Sequence, residues 1–258
     1  MTDWDGAGYE RISGLQRHLA REALGAMAFR GTERVLDVGC GDGYVTRLIA
    51  DRLPAGAVVG VDASPRMIEV ARSRPDPPGR PVEFLVADAR DLPFGPEFDV
   101  VVSFNALHWV SDQVAALRAI AGTLRPGGRV AVQQVCAGPR PSLERIAMQV
   151  CERPRWAGAF AGLVVPFRHV EPVEYPALAA AAGLQVVAQQ VVDLRWDFGS
   201  RAAFTDWCTV GFADWTARLA ADKVPAWVGE VVAGYEAVAG DPGVFRFLQL
   251  RAELVPDR

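Results

Sequence analysis

The apolar positions of this chain form short continuous runs in its first half. Between residues 34 and 135, β-branched runs alternate with amphipathic segments, and this pattern predicts five strands: RVLDVG, AVVGVD, VEFLVA, FDVVVSF and RVAVQQV. Such an alternation is typical of consecutive βαβ units in a parallel sheet, whose strands are buried on both faces. Helices are predicted to start near Tyr44, Pro65 and Ser111, and the segment LRPGG is expected to end the third of them.

Beyond residue 136 the pattern changes to longer helical stripes. YPALAAAAG predicts a short helix that leads into a strand, LQVVAQQVVDLRW, and VFRFLQLRAEL predicts a final strand. Apolar residues recur at i, i+3, i+4, i+7, i+8 and i+11 from Phe204 to Trp215 and again from Val224 to Tyr235. Each of these two sets predicts one continuous helix with an apolar stripe.

Composition and charge narrow the class of protein. The chain has 258 residues, of which 50% are hydrophobic, and a formal net charge of −4, which favours one domain with a cap. Charges of both signs are mixed without a basic block, so no nucleic-acid partner is expected. The four cysteines are far apart in the sequence, which predicts neither a disulfide framework nor a metal site. No targeting or bilayer-spanning segment is recognised, and a soluble, cytoplasmic protein without a membrane partner is therefore expected.

A glycine-rich turn is the most informative motif. In RVLDVGCGDGY, Gly39, Gly41 and Gly43 follow a strand that contains Asp37, and a helix begins at Tyr44. This arrangement binds nucleotides, because glycine permits close approach to the backbone and the amides of a helix N-terminus face the ligand. The dinucleotide fingerprint would require glycine at position 44, and a carboxylate at Asp37 would repel a pyrophosphate. The turn therefore favours a nucleoside that carries a cationic amino group over NAD.

Two more acidic residues end the next two predicted strands. Asp62 lies where a carboxylate can accept hydrogen bonds from both ribose hydroxyls, and Asp88 can accept a hydrogen bond from an adenine amino group. Asp37, Asp62 and Asp88 thus match an amino group, a ribose and an adenine in that order.

These motifs resemble the class I S-adenosylmethionine-dependent methyltransferases over nearly the whole chain. The matching segments are DVGCGDG, GVDASPRMI, ADARDLPF and LRPGG. SFNALHWV, WDGAGYERISGLQ and the helices inserted before the last strand are similar to the small-molecule branch that includes the trans-aconitate and juvenile-hormone-acid methyltransferases. The resemblance implies a Rossmann-like α/β fold, with a seven-stranded, mostly parallel sheet, helices on both faces and a helical cap. Within one domain it implies a cap helix in 1–30, a cofactor-binding core in 31–136, and the rest of the sheet with inserted substrate-cap helices in 137–258.

The resemblance also implies a set of contacts to S-adenosylmethionine, or to its product S-adenosylhomocysteine. Asp37 would lie near the amino group, and Asp62 would bind the ribose. The full set runs along the strand ends and the N-terminal helix: Tyr9, Gln16, Asp37, Gly39, Gly41, Asp62, Ala63, Met67, Asp88, Ala89 and Asn105. Ala63 and Met67 would pack beside the adenine, Ala89 would bind it through the backbone, and Asn105 would face the methionyl end.

Methyl transfer from a sulfonium chiefly requires the acceptor to be held in line with the methyl carbon, without water. His108 is the candidate general base or orienting donor, with a structural histidine as the alternative reading. The expected substrate wall consists of aromatic and histidine residues: Trp109, Trp156, Phe160, His169 and Trp207, with Phe167 and Trp215 nearby. O-methylation of a carboxylate or hydroxyl on a small organic molecule is expected. C- or N-methylation in secondary metabolism, and a cyclase or decarboxylase that keeps the cofactor, are the alternatives. The oligomeric state is left open.

Overall fold

A computed structural model describes residues 14–257 of the chain. Its described strands form one sheet in the order β3-β2-β1-β4-β5-β7-β6. The strands are β1 Arg34–Val38, β2 Ala57–Asp62, β3 Glu83–Val86, β4 Phe98–Phe104, β5 Leu124–Val135, β6 Leu184–Asp197 and β7 Val244–Pro256. The first five strands pair in parallel, while β7 pairs antiparallel with both β5 and β6. The predicted seven-stranded, mostly parallel sheet is confirmed.

Helices cover the sheet and extend beyond it. They are α1 Gly14–Ala26, α2 Tyr44–Ala50, α3 Pro65–Ser73, α4 Gln113–Thr123, α5 Leu143–Cys151, α6 Tyr175–Ala180, α7 Arg201–Gly211, α8 Ala213–Thr216 and α9 Val224–Ala239, with a 3₁₀ turn at Leu107–Trp109. Local capping explains where several of them begin. The Ser64 side chain accepts a hydrogen bond from the Met67 amide at 3.2 Å, and Asp112 accepts one from the Ala115 amide at 2.9 Å. In the described part of the chain, no helix combines the length and apolar character that crossing a membrane requires.

The strand order reverses at β1. β2 lies on one side of β1 and β4 on the other, so the connections from β1 and from β4 leave the sheet in opposite directions. In open parallel sheets such a switch point leaves a crevice at the carboxyl ends of the strands. The glycine turn after β1 and the segment after β4 therefore face the same crevice.

Two predicted boundaries differ from the structure. The strand predicted from Arg129 begins at Leu124 as β5, and its register against β4 shifts between Phe98 and Val100. Gly127 has a φ of +79° within this segment, and the backbone there bulges away from regular pairing. The helix before it ends at Thr123, before the LRPGG segment.

The predicted single helix from Phe204 to Trp215 is wrong. It is two helices, α7 and α8, with Phe212 between them at φ −99° and ψ 35°. Gly211, which has a low helix propensity, ends α7. The ring of Phe212 packs edge-on against Trp215 with centroids 5.0 Å apart, so tertiary packing keeps the stripe buried across the break.

A second apolar cluster lies beside the core of the sheet. It joins α1, α5, α7, α8 and α9 to the start of β7, where Phe245 and Phe247 are buried. We call these five helices the cap. Because the cap shares this cluster with a strand of the main sheet, it packs on the sheet's antiparallel side.

Candidate active site

A cavity of about 600 Å³ opens between the strand ends and the cap. One wall consists of α1 and the segments that follow β1, β2, β3 and β4. The opposite wall consists of α5, residues 163–166, α7, Asp214 of α8, and the start of β7. This volume is in the range of small-molecule and cofactor sites. The structure thus joins the predicted cofactor-binding strand ends to the cap in one cavity.

Each of the three positions in the turn requires glycine for a different physical reason. Gly39 has a φ of +79°, and a Cβ there would lie 2.2 Å from Cβ of Ala106. Gly41 has a φ of +53°, and a Cβ there would meet nothing within 4 Å. Gly43 has a φ of +74°, and a Cβ there would lie 2.6 Å from the Phe84 ring. Gly39 and Gly41 line the cavity, whereas Gly43 serves packing and the start of α2.

Asp62 lies at the end of β2 on the cavity wall. Its carboxylate accepts hydrogen bonds at 2.9 Å from the backbone amides of both Gly41 and Ser64. Burial raises the pKa of Asp62, and these amides act in the opposite direction. The carboxylate therefore ties the glycine turn to β2 and still borders the cavity.

Asp88 also lines the cavity, but it has a protein partner. Arg90 donates to both carboxylate oxygens, at 2.9 and 2.6 Å. This pairing holds the pKa of Asp88 below its ordinary value. Asp88 can still accept a further hydrogen bond, since a carboxylate has about four acceptor positions.

Asp37 does not line the cavity. It is 2% exposed, and its carboxylate accepts a hydrogen bond from the Thr46 hydroxyl at 2.7 Å. Burial raises the pKa of Asp37 to about 7. Asp37 was predicted to lie near a ligand amino group, but it lies behind the turn, where its carboxylate holds Thr46 of α2 and does not border the cavity.

The remaining predicted cofactor residues fall into two groups. Those that line the cavity are Gln16, Ala63, Met67, Ala89 and Asn105. Among the described residues, Gln16 Oε1 is buried and has no hydrogen-bond partner. Asn105 adopts a left-handed φ of 57°, and its Oδ1 accepts a hydrogen bond from Gln249 at 3.0 Å. Tyr9 lies outside the described residues.

His108 follows β4 on the 3₁₀ turn and lines the cavity, although it is only 4% exposed. Burial lowers its pKa well below the ordinary value, and the neighbouring His169 acts in the same direction. The two imidazole centroids are 5.9 Å apart, and His169 Nε2 lies 3.9 Å from Glu144 Oε2. His108 is therefore a neutral imidazole near pH 7, able to accept a proton or orient an acceptor.

Only some of the residues predicted for the aromatic substrate wall line the cavity. Trp109 and Trp207 line the cavity. Trp156 does not, since its indole donates to Glu230 at 3.0 Å within the cap. Phe160 packs against Trp227, with centroids 5.5 Å apart, and is likewise part of the cap core. For these two residues the predicted substrate contact has no support in the structure.

Three further predicted aromatic or histidine positions lie behind the wall. His169 packs on Phe167 with centroids 4.6 Å apart, and Phe167 lies 6.4 Å from Trp215. The cavity wall includes none of these three among the residues described. They support the residues in front of them, such as His108 and Trp109.

Several charged wall residues were missed by sequence reasoning. They are Arg17, Asp42, Arg90, Glu144, Asp214 and Arg218. Arg17 lies 3.6 Å from Asp42 and over the Tyr44 ring at 4.7 Å. Asp42 could have been found from its place in the glycine turn. Glu144 and Asp214 carry no local signal, because only the packing of the cap brings them to the cavity.

The residues at the strand ends fit S-adenosylmethionine. A carboxylate borders the cavity at Asp62, open space lies beside Gly41, and Gln16 presents an unpaired buried oxygen among the described residues. Met67 and Ala63 supply an apolar surface for a base. The fold and this site define a class of protein, the S-adenosylmethionine-dependent methyltransferases.

Comparison with known proteins supports the assignment to the methyltransferases. A methyltransferase domain family matches residues 35–128. Trans-aconitate 2-methyltransferase of Methylobacterium nodulans is 33% identical over 187 residues, which cover 72% of this chain and 70% of that protein. The enzyme of the same name from an Azoarcus species is 30% identical over 248 residues, 92% of this chain and 91% of that protein. The chain therefore belongs to the class I S-adenosylmethionine-dependent methyltransferase family and resembles its trans-aconitate methyltransferases.

Solved structures show the same fold. The [4+2]-cyclase SpnF superposes with a TM-score of 0.62 at 22% identity, over 99% of this chain and 87% of that one. Sequence identity at this level shows a shared fold and does not show a shared function.

Proposed function

We propose that the protein transfers the methyl group of S-adenosylmethionine to an oxygen atom of a small organic molecule, either a carboxylate or a hydroxyl. The observation that carries this proposal is the continuity of the cavity. The same space is bordered by Asp62 and Gly41 at the strand ends and by His108, Trp109 and Trp207 toward the cap. A donor held at the first set and an acceptor held at the second set would meet near His108.

S-adenosylmethionine supplies an electrophilic methyl carbon on a sulfonium. The acceptor oxygen forms a bond to this carbon as the carbon–sulfur bond breaks, and the electron pair of that bond stays on sulfur. The chain's part in this reaction is to hold the acceptor in line and exclude water. The cap supports this role because its helices α5 and α7 cover the strand ends.

The role of His108 depends on the acceptor. A carboxylate is already ionised and needs orientation only, whereas a hydroxyl loses its proton as the methyl bond forms. A neutral, buried His108 suits either task, since it can donate to a carboxylate from one nitrogen or accept a proton at the other. Trans-aconitate, the acceptor named for the relatives, offers carboxylate oxygens, which supports oxygen as the acceptor atom.

Incubation with methyl-labelled S-adenosylmethionine and a panel of carboxylic acids and phenols tests the proposal. We expect label in an ester or an ether, with one equivalent of S-adenosylhomocysteine per product. Label found only on carbon or nitrogen would contradict transfer to oxygen. Tight binding of S-adenosylhomocysteine with no labelled product from any acceptor would favour a cofactor-retaining enzyme, an activity that the shared fold of SpnF makes worth testing.

A further inference from the structure

The part of the cavity that faces the cap is acidic rather than basic. Among the described residues beyond 134, the charged members of the cavity wall are Glu144, Asp214 and Arg218. Arg218 is an exposed residue that donates to the carbonyl of Ala161 at 3.3 Å. Within residues 14–257, the acceptor part of the cavity therefore has no cluster of cations with which to bind a polyanion.

Glu144 is the notable group in this wall. Its side chain is 7% exposed, and among the residues described its Oε2 atom is buried without a hydrogen-bond partner. The nearest ion-pair candidate is His169, whose Nε2 is 3.9 Å away. At this distance the imidazole does not donate a hydrogen bond to the carboxylate. Burial lowers the pKa of His169, while the neighbouring Glu144 acts in the opposite direction. A buried acceptor without a donor is costly, and a ligand that supplies the donor removes the cost.

Apolar residues make up much of the cap side of the cavity. Leu143, Phe212, Phe245 and Phe247 line the same part of the cavity and are buried. Apolar surface also continues outward, since Val164 is 79% exposed at the cavity wall and Val165 is 47% exposed. An acceptor with an apolar body would cover both the inner and the outer surface.

The cations on the cofactor side of the cavity already have acidic partners. Arg17 lies 3.6 Å from Asp42, and Arg90 lies 2.6 Å from Asp88. The sequence of residues 1–13 holds three acidic residues and one arginine, so it has no surplus of positive charge to add.

We propose that the acceptor is an uncharged, largely apolar molecule whose hydroxyl group donates a hydrogen bond to Glu144, and that Glu144 disfavours polycarboxylates such as trans-aconitate. This inference rests on the proposed function, which it narrows from carboxylate or hydroxyl to hydroxyl. Like charges brought together in a cavity of low dielectric repel each other strongly, which is how one buried carboxylate can select against an anion. The relatives' named acceptor, with three carboxylates, would meet this repulsion.

Binding to the complex with S-adenosylhomocysteine tests the inference without requiring turnover. The probes are 4-propylphenol, 4-propylbenzoate and trans-aconitate, and the measurement is calorimetry near pH 7.5. The first two differ chiefly in the hydroxyl and the carboxylate. We expect 4-propylphenol to bind at least about 10-fold more tightly than either anion, which is about 1.4 kcal/mol.

Two variants test whether Glu144 causes the preference for the phenol over the benzoate. Glu144→Gln keeps an acceptor oxygen but removes the charge, and we expect it to narrow the phenol-to-benzoate affinity ratio by at least about 5-fold. Glu152→Gln changes an exposed glutamate just beyond the same helix and should leave the ratio unchanged. Unaltered binding of S-adenosylhomocysteine shows that each variant is folded.

Equal or tighter binding of 4-propylbenzoate or trans-aconitate by the wild-type protein would overturn the inference. Failure of all three probes to bind, or an unchanged ratio in Glu144→Gln, would overturn it as well. Transfer of label to carboxylates in the activity assay would leave the proposed oxygen transfer standing while refuting the preference for a hydroxyl. The two proposals therefore fail on different observations.

Discussion

At the scale of the residue, we propose that Asp62 binds the ribose of the cofactor. Its carboxylate borders the cavity and also receives the amides of Gly41 and Ser64. We expect Asp62→Ala to weaken S-adenosylhomocysteine binding by about 1.5–3 kcal/mol, because hydrogen bonds to a charged group are lost. Calorimetry measures this, and an unchanged dissociation constant would contradict the ribose role. Asp62→Asn retains one of the two acceptor oxygens that hold the Gly41 and Ser64 amides, so its effect should be smaller than that of Asp62→Ala.

A catalytic role and a structural role for His108 predict different effects of substitution on turnover. If it accepts a proton in the reaction, His108→Ala should lower turnover by about 100-fold, which is the order of a positioned proton transfer. His18, an exposed histidine on α1, provides a control in His18→Ala. A loss below about threefold in turnover would make His108 structural, because such a loss is far smaller than that range.

Asp37 predicts a pH dependence of stability. Burial raises its pKa in the folded protein to about 7, whereas the unfolded chain releases this proton near pH 4. Between these values the native state binds more protons than the unfolded state, so the contribution of Asp37 to stability falls as the pH rises through this window. Asp37→Asn abolishes this titration and keeps an acceptor for Thr46.

We therefore expect the wild-type protein to lose on the order of 3 kcal/mol of unfolding free energy relative to Asp37→Asn between pH 4 and 8. Urea unfolding of the cofactor-free proteins across this range measures the difference. The buried histidines contribute with the opposite sign, but they are common to both proteins and cancel. Asp206→Asn, at an exposed position, is the matched control. Parallel curves for the wild type and Asp37→Asn would contradict the buried position of Asp37.

At the scale of the element, the glycine turn combines two functions that substitution can separate. An alanine at Gly39 would place its Cβ 2.2 Å from Cβ of Ala106 at a φ of +79°, whereas one at Gly41 would meet no protein atom within 4 Å. We expect Gly39→Ala to lower the unfolding free energy by about 2–4 kcal/mol, through overpacking and backbone strain. Gly41→Ala should cost only about 1 kcal/mol, the strain alone.

Gly41→Ala, which should cost less stability than Gly39→Ala, should have the larger effect on cofactor binding. Among folded variants, Gly41→Ala should weaken S-adenosylhomocysteine binding by at least about 10-fold, because its new methyl group stands on the cavity wall. Urea unfolding and calorimetry on both variants give the comparison. Unchanged affinity in Gly41→Ala would show that the ligand does not approach this part of the turn.

At the scale of the whole molecule, the shared apolar cluster predicts that sheet and cap unfold together. The cap helices pack on Phe245 and Phe247 of β7, and β7 pairs with β5 in the middle of the sheet. We propose that residues 31–136 and 137–258 form one cooperative unit. Tryptophan fluorescence, to which Trp207, Trp215 and Trp227 of the cap contribute, and far-ultraviolet circular dichroism should give coincident melting curves.

S-adenosylhomocysteine at about 100 times its dissociation constant should stabilise the folded state by about 2.7 kcal/mol. For a domain of this size we expect a rise of roughly 5–10 °C in the melting temperature, seen equally by both probes. Two separate transitions, or a rise confined to one probe, would divide the chain into independent domains.

The residues that line the cavity at the strand ends could be predicted because their signals are local in the sequence. Gly41 and Asp62 each follow a buried run directly, and the carboxyl ends of parallel strands meet at one edge of the sheet. The position of Asp37 behind the turn could not be predicted in the same way. Whether a strand-end carboxylate faces a ligand or a helix depends on side-chain direction within the sheet, and Thr46 decides that only in the folded protein.

The sequence by itself determined the succession of strands along the chain, the glycine turn and the family, since periodicity, glycines and strand-end acids act over a few neighbouring residues. Only the tertiary structure decided which cap residues border the cavity. Trp156 and Trp207 were both predicted in the substrate wall, yet the indole of Trp156 donates to Glu230 within the cap, whereas Trp207 lines the cavity. Glu144 and His108 lie 36 positions apart in the chain, and the packing of the cap brings them to opposite walls of one cavity, with His169 in contact with both. The character of the acceptor site follows from that packing, which no local pattern encodes.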